Sequence, residues 1–181
     1  MTRPPRARET VLDAFEQVVR SDGERAATME TVARLAGVSK GGLLYHFASK
    51  DALENGVIER MEERAVLDVE KIVAASSGPV AALMRSSIMT DSPLDRSIIA
   101  VSRLAQNGHP LATDALRRVR DMWEGAIRPH VRDESALQLV MLVSDGLYFN
   151  NALTVGALPG PKFDEPELAA LIALVEHSTR A

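Results

Sequence analysis

The chain has 181 residues, 46% apolar and 25% charged, which suits one globular domain or a small one joined to a medium one. It contains no cysteine, which excludes disulfide frameworks, thiolate zinc sites, iron–sulfur clusters and cysteine nucleophiles. The formal net charge is −4, yet residues 1–50 carry eight Lys/Arg against six Asp/Glu, so a mildly basic head precedes an acidic body and points to one polyanion-facing region.

Few aromatics and many alanines, leucines and valines predict an all-α chain. The opening Thr2–Arg8 is basic, and Pro4 and Pro5 are expected to keep it extended; should the polyanion be a duplex, Arg3, Arg6 and Arg8 can enter its minor groove or lie along its phosphates, a merely solvated terminus being the bland reading. No leader-like apolar stretch follows, and the longest apolar run, Leu168–Val175, is far short of the roughly 20 residues of a membrane span. A cytosolic protein is expected.

Val11, Phe15 and Val18, widened by Leu12 and Val19, mark the first helix, which Ser21-Asp22-Gly23 ends. Thr28 caps a second helix holding Thr31, Val32 and Leu35, with Gly37 as its stop. Ser39 starts a short third helix that runs to about Tyr45. Ser49 caps a fourth, in which Leu53, Val57, Met61, Ala65, Val69 and Ile72 recur over about seven turns. Gly56 inside it costs about 1 kcal/mol against Ala and so marks tight packing. Breakers at Ser76–Pro79, Asp91–Pro93, Asn107–Pro110, Pro129 and Gly156–Pro166 then separate helices near 80–89, 94–106, 111–128, 134–155 and 166–178. The expectation is nine helices, with a head over 1–50 and a larger body over 51–181.

Thr28 to Phe47 reads as two helices meeting at a tight corner. Ala33 is small where they cross, Gly37 supplies a positive φ, and Val32, Val38 and Leu43 close the core between them. That arrangement is a helix-turn-helix, in which the second helix enters a major groove. An incidental helical hairpin is the competing reading of these spacings.

The stretch Val38-Ser-Lys-Gly-Gly-Leu-Leu-Tyr-His-Phe-Ala-Ser-Lys-Asp-Ala-Leu resembles the hallmark of the TetR family of one-component bacterial repressors. The resemblance covers the whole head; beyond about residue 51 it extends only to helix number and length. It implies a homodimeric repressor that binds a double-stranded operator and leaves it on binding a small-molecule effector.

Thr28 and Ser39 stand at helix starts, where hydroxyl, backbone N–H and dipole suit a phosphate oxygen. Lys40 can meet a phosphate or a guanine edge, and Lys50 a phosphate as a point charge. The resemblance implies phosphate contacts for Tyr45 and His46. Gly41, Gly42 and Leu44 should face the groove, but they supply no bidentate hydrogen bonds, which leaves base readout to Lys40 and DNA shape. The blander roles are caps for Thr28 and Ser39, a surface histidine for His46 and a solvated side chain for Lys50. Phe47 is expected in the core.

Two late segments, Leu137–Val143 and Leu168–Val175, are apolar almost all round and need cover on two sides. A second subunit is the expected cover, over Leu137, Val140, Leu168, Ala170, Leu171 and Leu174, and the family's two-fold four-helix bundle agrees; aggregation or a fully internal helix is the competing account. Polar or soft groups on apolar helices are the pocket candidates: Met84, Met89, Met122, Trp123, Met141, Asp145, Tyr148 and Asn151, with Ser144 and Asn150 beside them. Asp145 needs a partner, and a structural one is favoured over a ligand. The scarcity of aromatics predicts an aliphatic, methionine-softened pocket rather than an aromatic cage.

A helical enzyme is a poor fit: the four histidines are scattered, with no metal-ligand spacing, phosphate loop or serine elbow. No metal or cofactor is expected. A TetR-like module that has lost DNA binding is the remaining alternative.

Overall fold

The computed structural model describes residues 4–88, 90–152 and 163–180. The fold is all-α, with nine α-helices and no strand among the described residues. They are α1 Pro4–Asp22, α2 Met29–Leu35, α3 Lys40–His46, α4 Lys50–Ala74, α5 Pro79–Ser86, α6 Pro93–Gln106, α7 Pro110–Ile127, α8 Glu134–Ala152 and α9 Glu165–Thr179. Single turns of 3-10 helix at Glu24–Ala26 and Arg128–His130 were not expected from periodicity, which cannot register three residues. Pro4 and Pro5 open α1 instead of keeping the tail extended, because the first helical turn has no N–H bond for proline to lose.

The chain packs as two compact units that do not part at residue 50. One comprises 1–64 with 91–118, the other 65–90 with 119–181. The reason is local: α1 is covered by α6 as well as by α2 and α3, so the head shares its core with α6.

In the first unit, Val11, Leu12, Phe15 and Val19 of α1 are buried with Val32, Leu43, Phe47, Leu53, Val57, Val101 and Leu104. The corner between α2 and α3 turns at Gly37, with φ 67°, as its glycine requires. Glu16 and Arg60 are also buried here, 2% and 4% exposed. Arg60 Nη2 lies 2.7 Å from Glu16 Oε1, and its Nη1 lies 2.8 Å from Asp13 Oδ1 and 3.1 Å from Glu9 Oε2. Burial opposes the Arg60 charge, but Glu16 outweighs it and holds the pKa above the ordinary arginine value. Ser97 of α6 donates to the same Glu16 oxygen at 2.6 Å, and Arg64 donates to the Pro93 carbonyl at 2.9 Å. One buried carboxylate thus ties α1, α4 and α6 together.

In the second unit, Ile72, Leu83, Met84, Ile127, Leu137, Val140, Met141, Leu168, Ile172 and Val175 form the core. A reciprocal capping box between Asp164 and Glu167 starts α9, and another between Ser92 and Asp95 starts α6 in the first unit.

Gly56 is where the first unit is tightest. A Cβ there would stand 2.7 Å from Phe47 Cε1 and 3.3 Å from Leu12 Cδ2. Gly56→Ala therefore should destabilise the protein by about 1–3 kcal/mol, overpacking outweighing the roughly 1 kcal/mol gain in helix propensity. Chemical denaturation checks this, and an unchanged or raised midpoint would contradict the close approach.

Candidate nucleic-acid interface and effector pocket

The corner buries one side and leaves the other bare. Val32, Ala33, Leu43 and Phe47 face inward, while Lys40, Gly41, Leu44 and Tyr45 lie along the exposed side of α3. Tyr45 is 84% exposed and Leu44 41%. Tyr45 meets the ring of His46 edge-on at 5.2 Å. Large side chains left in water at the end of a seven-residue helix do nothing for its stability.

Thr28 and Ser39 act as N-caps: Thr28 Oγ1 accepts from the Thr31 N–H at 3.1 Å, and Ser39 Oγ from the Gly42 N–H at 3.0 Å. Both are exposed, and a hydroxyl that accepts a cap bond retains its O–H to donate. Gly41 is open, with nothing within 4 Å of a built Cβ, whereas a Cβ at Gly42 would crowd Ser39 Oγ at 3.2 Å. The bare backbone at Gly41 permits close approach by a partner; Gly42 keeps the cap.

The two lysines are engaged. Lys40, opening α3, is ion-paired with Glu30 of α2. Lys50, opening α4, is ion-paired with Glu24 and lies 3.5 Å from Glu54. Burial disfavours the Lys50 charge, but these carboxylates outweigh it and set the pKa above the ordinary lysine value. Glu54 is itself buried, which raises its pKa, and its other oxygen lies 3.5 Å from His109 Nε2. Sequence reasoning missed all these acids, because each pairing except Lys50–Glu54 joins residues ten or more positions apart.

Arg8 sits within α1, its guanidinium 5.5 Å from the Phe47 ring centroid. Arg3 lies outside the described residues, and the Arg6 side chain is likewise not described.

In the second unit, Asp145 has the structural partner expected of it: Arg120 Nη1 donates to its Oδ2 at 2.6 Å. Trp123 donates its indole N–H to Asp68 Oδ2 at 3.1 Å. Met84 and Met141 are core side chains, Met122 and Tyr148 are half-buried, and Ser144 Oγ is buried with no hydrogen-bond partner among the described residues. Met89 and the side chains of Asn150 and Asn151 lie outside the described residues. An open cleft of about 170 Å³ beside Gly78 and Pro79 is lined by His130, Glu176 and Arg180, none of them a pocket candidate.

The residues expected at a subunit interface divide by their burial within the chain. Leu137, Val140 and Leu168 are 0%, 0% and 5% exposed, buried in the unit's own core, and Leu171 is half-buried. Ala170 and Leu174 are exposed as expected, and Leu139 and Leu142 of α8 join them. An all-apolar helix has no polar face to show which side turns inward, so composition reveals the need for cover but not its phase.

Residues 11–55 match the family model of bacterial regulatory proteins of the tetR family. The chain is 31% identical over 135 residues to the HTH-type transcriptional regulator RutR of Escherichia coli K12, covering 70% of this chain and 55% of that protein. It is 33% identical over 64 residues to the regulator UidR of the same strain, covering 35% of this chain and 32% of UidR. The chain thus spans about half the length of RutR and a third of UidR. In three dimensions it superposes on a transcriptional regulator of Rhodococcus sp. Rha1 with a TM-score of 0.70 at 20% identity, covering 96% of this chain and 98% of that one. A regulator of Saccharomonospora viridis in complex with choline gives 0.69 at 18%, covering 97% and 98%. These relatives are transcriptional regulators, not enzymes.

The exposure of Tyr45 makes one outcome specific. Tyr45→Ala should leave the unfolding free energy within about 0.5 kcal/mol of wild type, as for a surface side chain without a structural role. A larger loss in a denaturant melt would show that Tyr45 serves the fold.

Proposed function

We propose that this chain, whose residues 11–55 match the tetR family of bacterial regulatory proteins, is a one-component repressor of that family. It binds a pseudo-palindromic operator as a homodimer and leaves it when a small molecule occupies the second unit. The observation that carries the DNA contact is the bare face of α3, with Tyr45 84% and Leu44 41% exposed beside Lys40 and the open backbone at Gly41. A helix held by its opposite face and stripped of cover along this one fits a major groove. Thr28, Ser39, Tyr45, His46 and Lys50 take the phosphates; Lys40, Gly41, Gly42 and Leu44 face the bases. The division of roles remains head, 1–50, and body, 51–181, although the packing units part elsewhere.

The effector reading rests on the second unit's aliphatic and methionine-rich interior and on the buried Ser144 Oγ, which has no hydrogen-bond partner among the described residues. A small, mostly apolar effector with one polar group suits an aliphatic site. Choline in the Saccharomonospora regulator and imidazole in the multidrug binding protein EbrR show that small ligands occupy proteins of this fold. Trp123, the sole tryptophan, is the natural fluorescence reporter of occupancy. Helices α4 and α7 each begin in the first unit and end in the second without interruption, which makes them covalent routes for coupling. A coupling of about 1–3 kcal/mol would weaken operator binding roughly 5–150-fold.

A gel shift with the DNA flanking the protein's own gene tests the reading; failure to retard it would favour the module that has lost DNA binding. Lys50→Ala should weaken binding to operator and random duplex alike and flatten the salt dependence by about one unit. A loss confined to the operator would contradict a phosphate role. For the dimer, Leu142→Glu with Leu174→Glu should sediment as a folded monomer, both side chains being exposed, at 64% and 62%. A wild type that sediments as a monomer at micromolar concentration would overturn the two-fold reading.

A further inference from the structure

Both lysines assigned to DNA are already neutralised in the free protein, by acids on neighbouring elements. Lys50 is ion-paired with Glu24 and also donates to the Glu24 carbonyl at 3.3 Å. Lys40 is ion-paired with Glu30, which holds the Glu30 carboxyl below the ordinary glutamate value. We infer that Glu24 and Glu30 are countercharges that occupy the phosphate positions of the free head and must be displaced before DNA binds. The inference rests on the DNA-binding reading above and concerns what regulates that same face.

The geometry separates a movable acid from a fixed one. Glu54 cannot leave: its side chain is 8% exposed, and it stands 3.5 Å from both Lys50 Nζ and His109 Nε2. His109 is held in turn, its Nδ1 accepting the Ala112 N–H at 3.3 Å at the start of α7. Glu24 differs. Its side chain is 22% exposed, on a single 3-10 turn that has no buried residue and no side-chain cap. Glu30 is freer still, 64% exposed on the first turn of α2. Each can swing off its lysine without unpacking a core.

Chemistry gives the exchange a direction. Lys50 stands at the start of α4, where the helix dipole disfavours a cation and favours an anion. A carboxylate in front of it relieves that conflict in the free protein, and a phosphate oxygen relieves it in the complex. The displaced carboxylate is then left beside a polyanion with no partner. Glu24 and Glu30 therefore lower affinity for DNA of any sequence, holding down the non-specific binding that phosphate contacts alone would give.

The test is a set of variants, Glu24→Gln, Glu30→Gln, Lys50→Ala and Glu24→Gln with Lys50→Ala. Each is titrated by fluorescence anisotropy onto the operator-containing flanking duplex and a random duplex, at several salt concentrations. Glu24→Gln and Glu30→Gln should each tighten both duplexes by at least roughly twofold per head, as for the release of a partly exposed ion pair. The gain should shrink as salt rises, and the Glu24→Gln gain should vanish in the Lys50→Ala background. Unchanged or weaker binding overturns the inference, and so does a gain that persists without Lys50, which would mark general repulsion rather than a clamp. In the DNA-free protein, the Lys50 ammonium protons should give an NMR signal protected from exchange in wild type and lost in Glu24→Gln. Absence of that protection in wild type overturns the clamp. A wild type that retards neither duplex overturns the DNA-binding reading and this inference with it; a wild type that binds beside unaltered variants overturns the inference alone.

Discussion

The approach of Phe47 to Gly56 governs the head. The residue that closes α3 is a large ring, and the only side chain that leaves it room on α4 is none at all. With the ring seated there, 4% exposed, the end of α3 is anchored to α4 at Gly56, beside which Leu12 of α1 also packs. A helix of seven residues has too few turns to persist by itself, so its form and its direction come from this anchorage and from the Ser39 cap. Gly41, Leu44 and Tyr45 on the outward side make no core contact as a result, and Lys40 beside them is held only by its surface pair with Glu30.

Charge is handled differently inside this unit and on its face. Glu16 and Arg60 are deep, and their desolvation is offset by a dense set of partners: Asp13, Glu9, Arg64 and Ser97. Removing one member would leave a buried charge uncompensated, so this network holds α1, α4 and α6 in one arrangement. The Lys40–Glu30 pair is at the surface, and the Lys50 cluster is partly buried, with Glu54 fixed in it and Glu24 the one movable acid. A shallow pair contributes little to stability and exchanges at little cost, which suits a surface that must trade one anion for another. Depth, rather than the identity of the ions, separates the two uses.

The local features of the head were legible in the sequence because each has a local cause. Thr28, Ser39 and Ser49 cap the helices they precede, Gly37 takes a positive φ, and Gly56 lies under a ring. Long-range pairing was not legible: nothing near Glu16 indicates Arg60, although an acid one turn after Leu12 on an apolar stripe is a signal that it must find a cation. The phase of α8 and α9 was hidden for a different reason. With apolar residues on every side, Leu137 and Leu142 are equivalent in sequence, and only packing makes one core and the other surface. The boundary at residue 50 marked where the motif ends, whereas the packing boundary follows α6, whose attachment to α1 leaves no local trace.

The exposed aliphatic stripe of α8 and α9 bears on the countercharges as well. Leu139, Leu142 and Leu174 stand 40%, 64% and 62% exposed, and the proposed two-fold dimer would cover them with a second copy of the chain. In the proposed dimer the heads would act in pairs, and each acid opposite a lysine assigned to DNA would occur twice. An exchange that weakens binding roughly two- to fivefold at one lysine enters four times in the dimer, and distant sites combine nearly additively in free energy, giving roughly 16- to 600-fold. A regulator must find one operator among a great excess of other duplex, and its unspecific affinity decides how much of it is free to do so. Under the proposed dimeric reading, four such ion pairs would be a sufficient device for that, because each would be weak enough to yield to a phosphate and together they would hold the heads off DNA that offers nothing more.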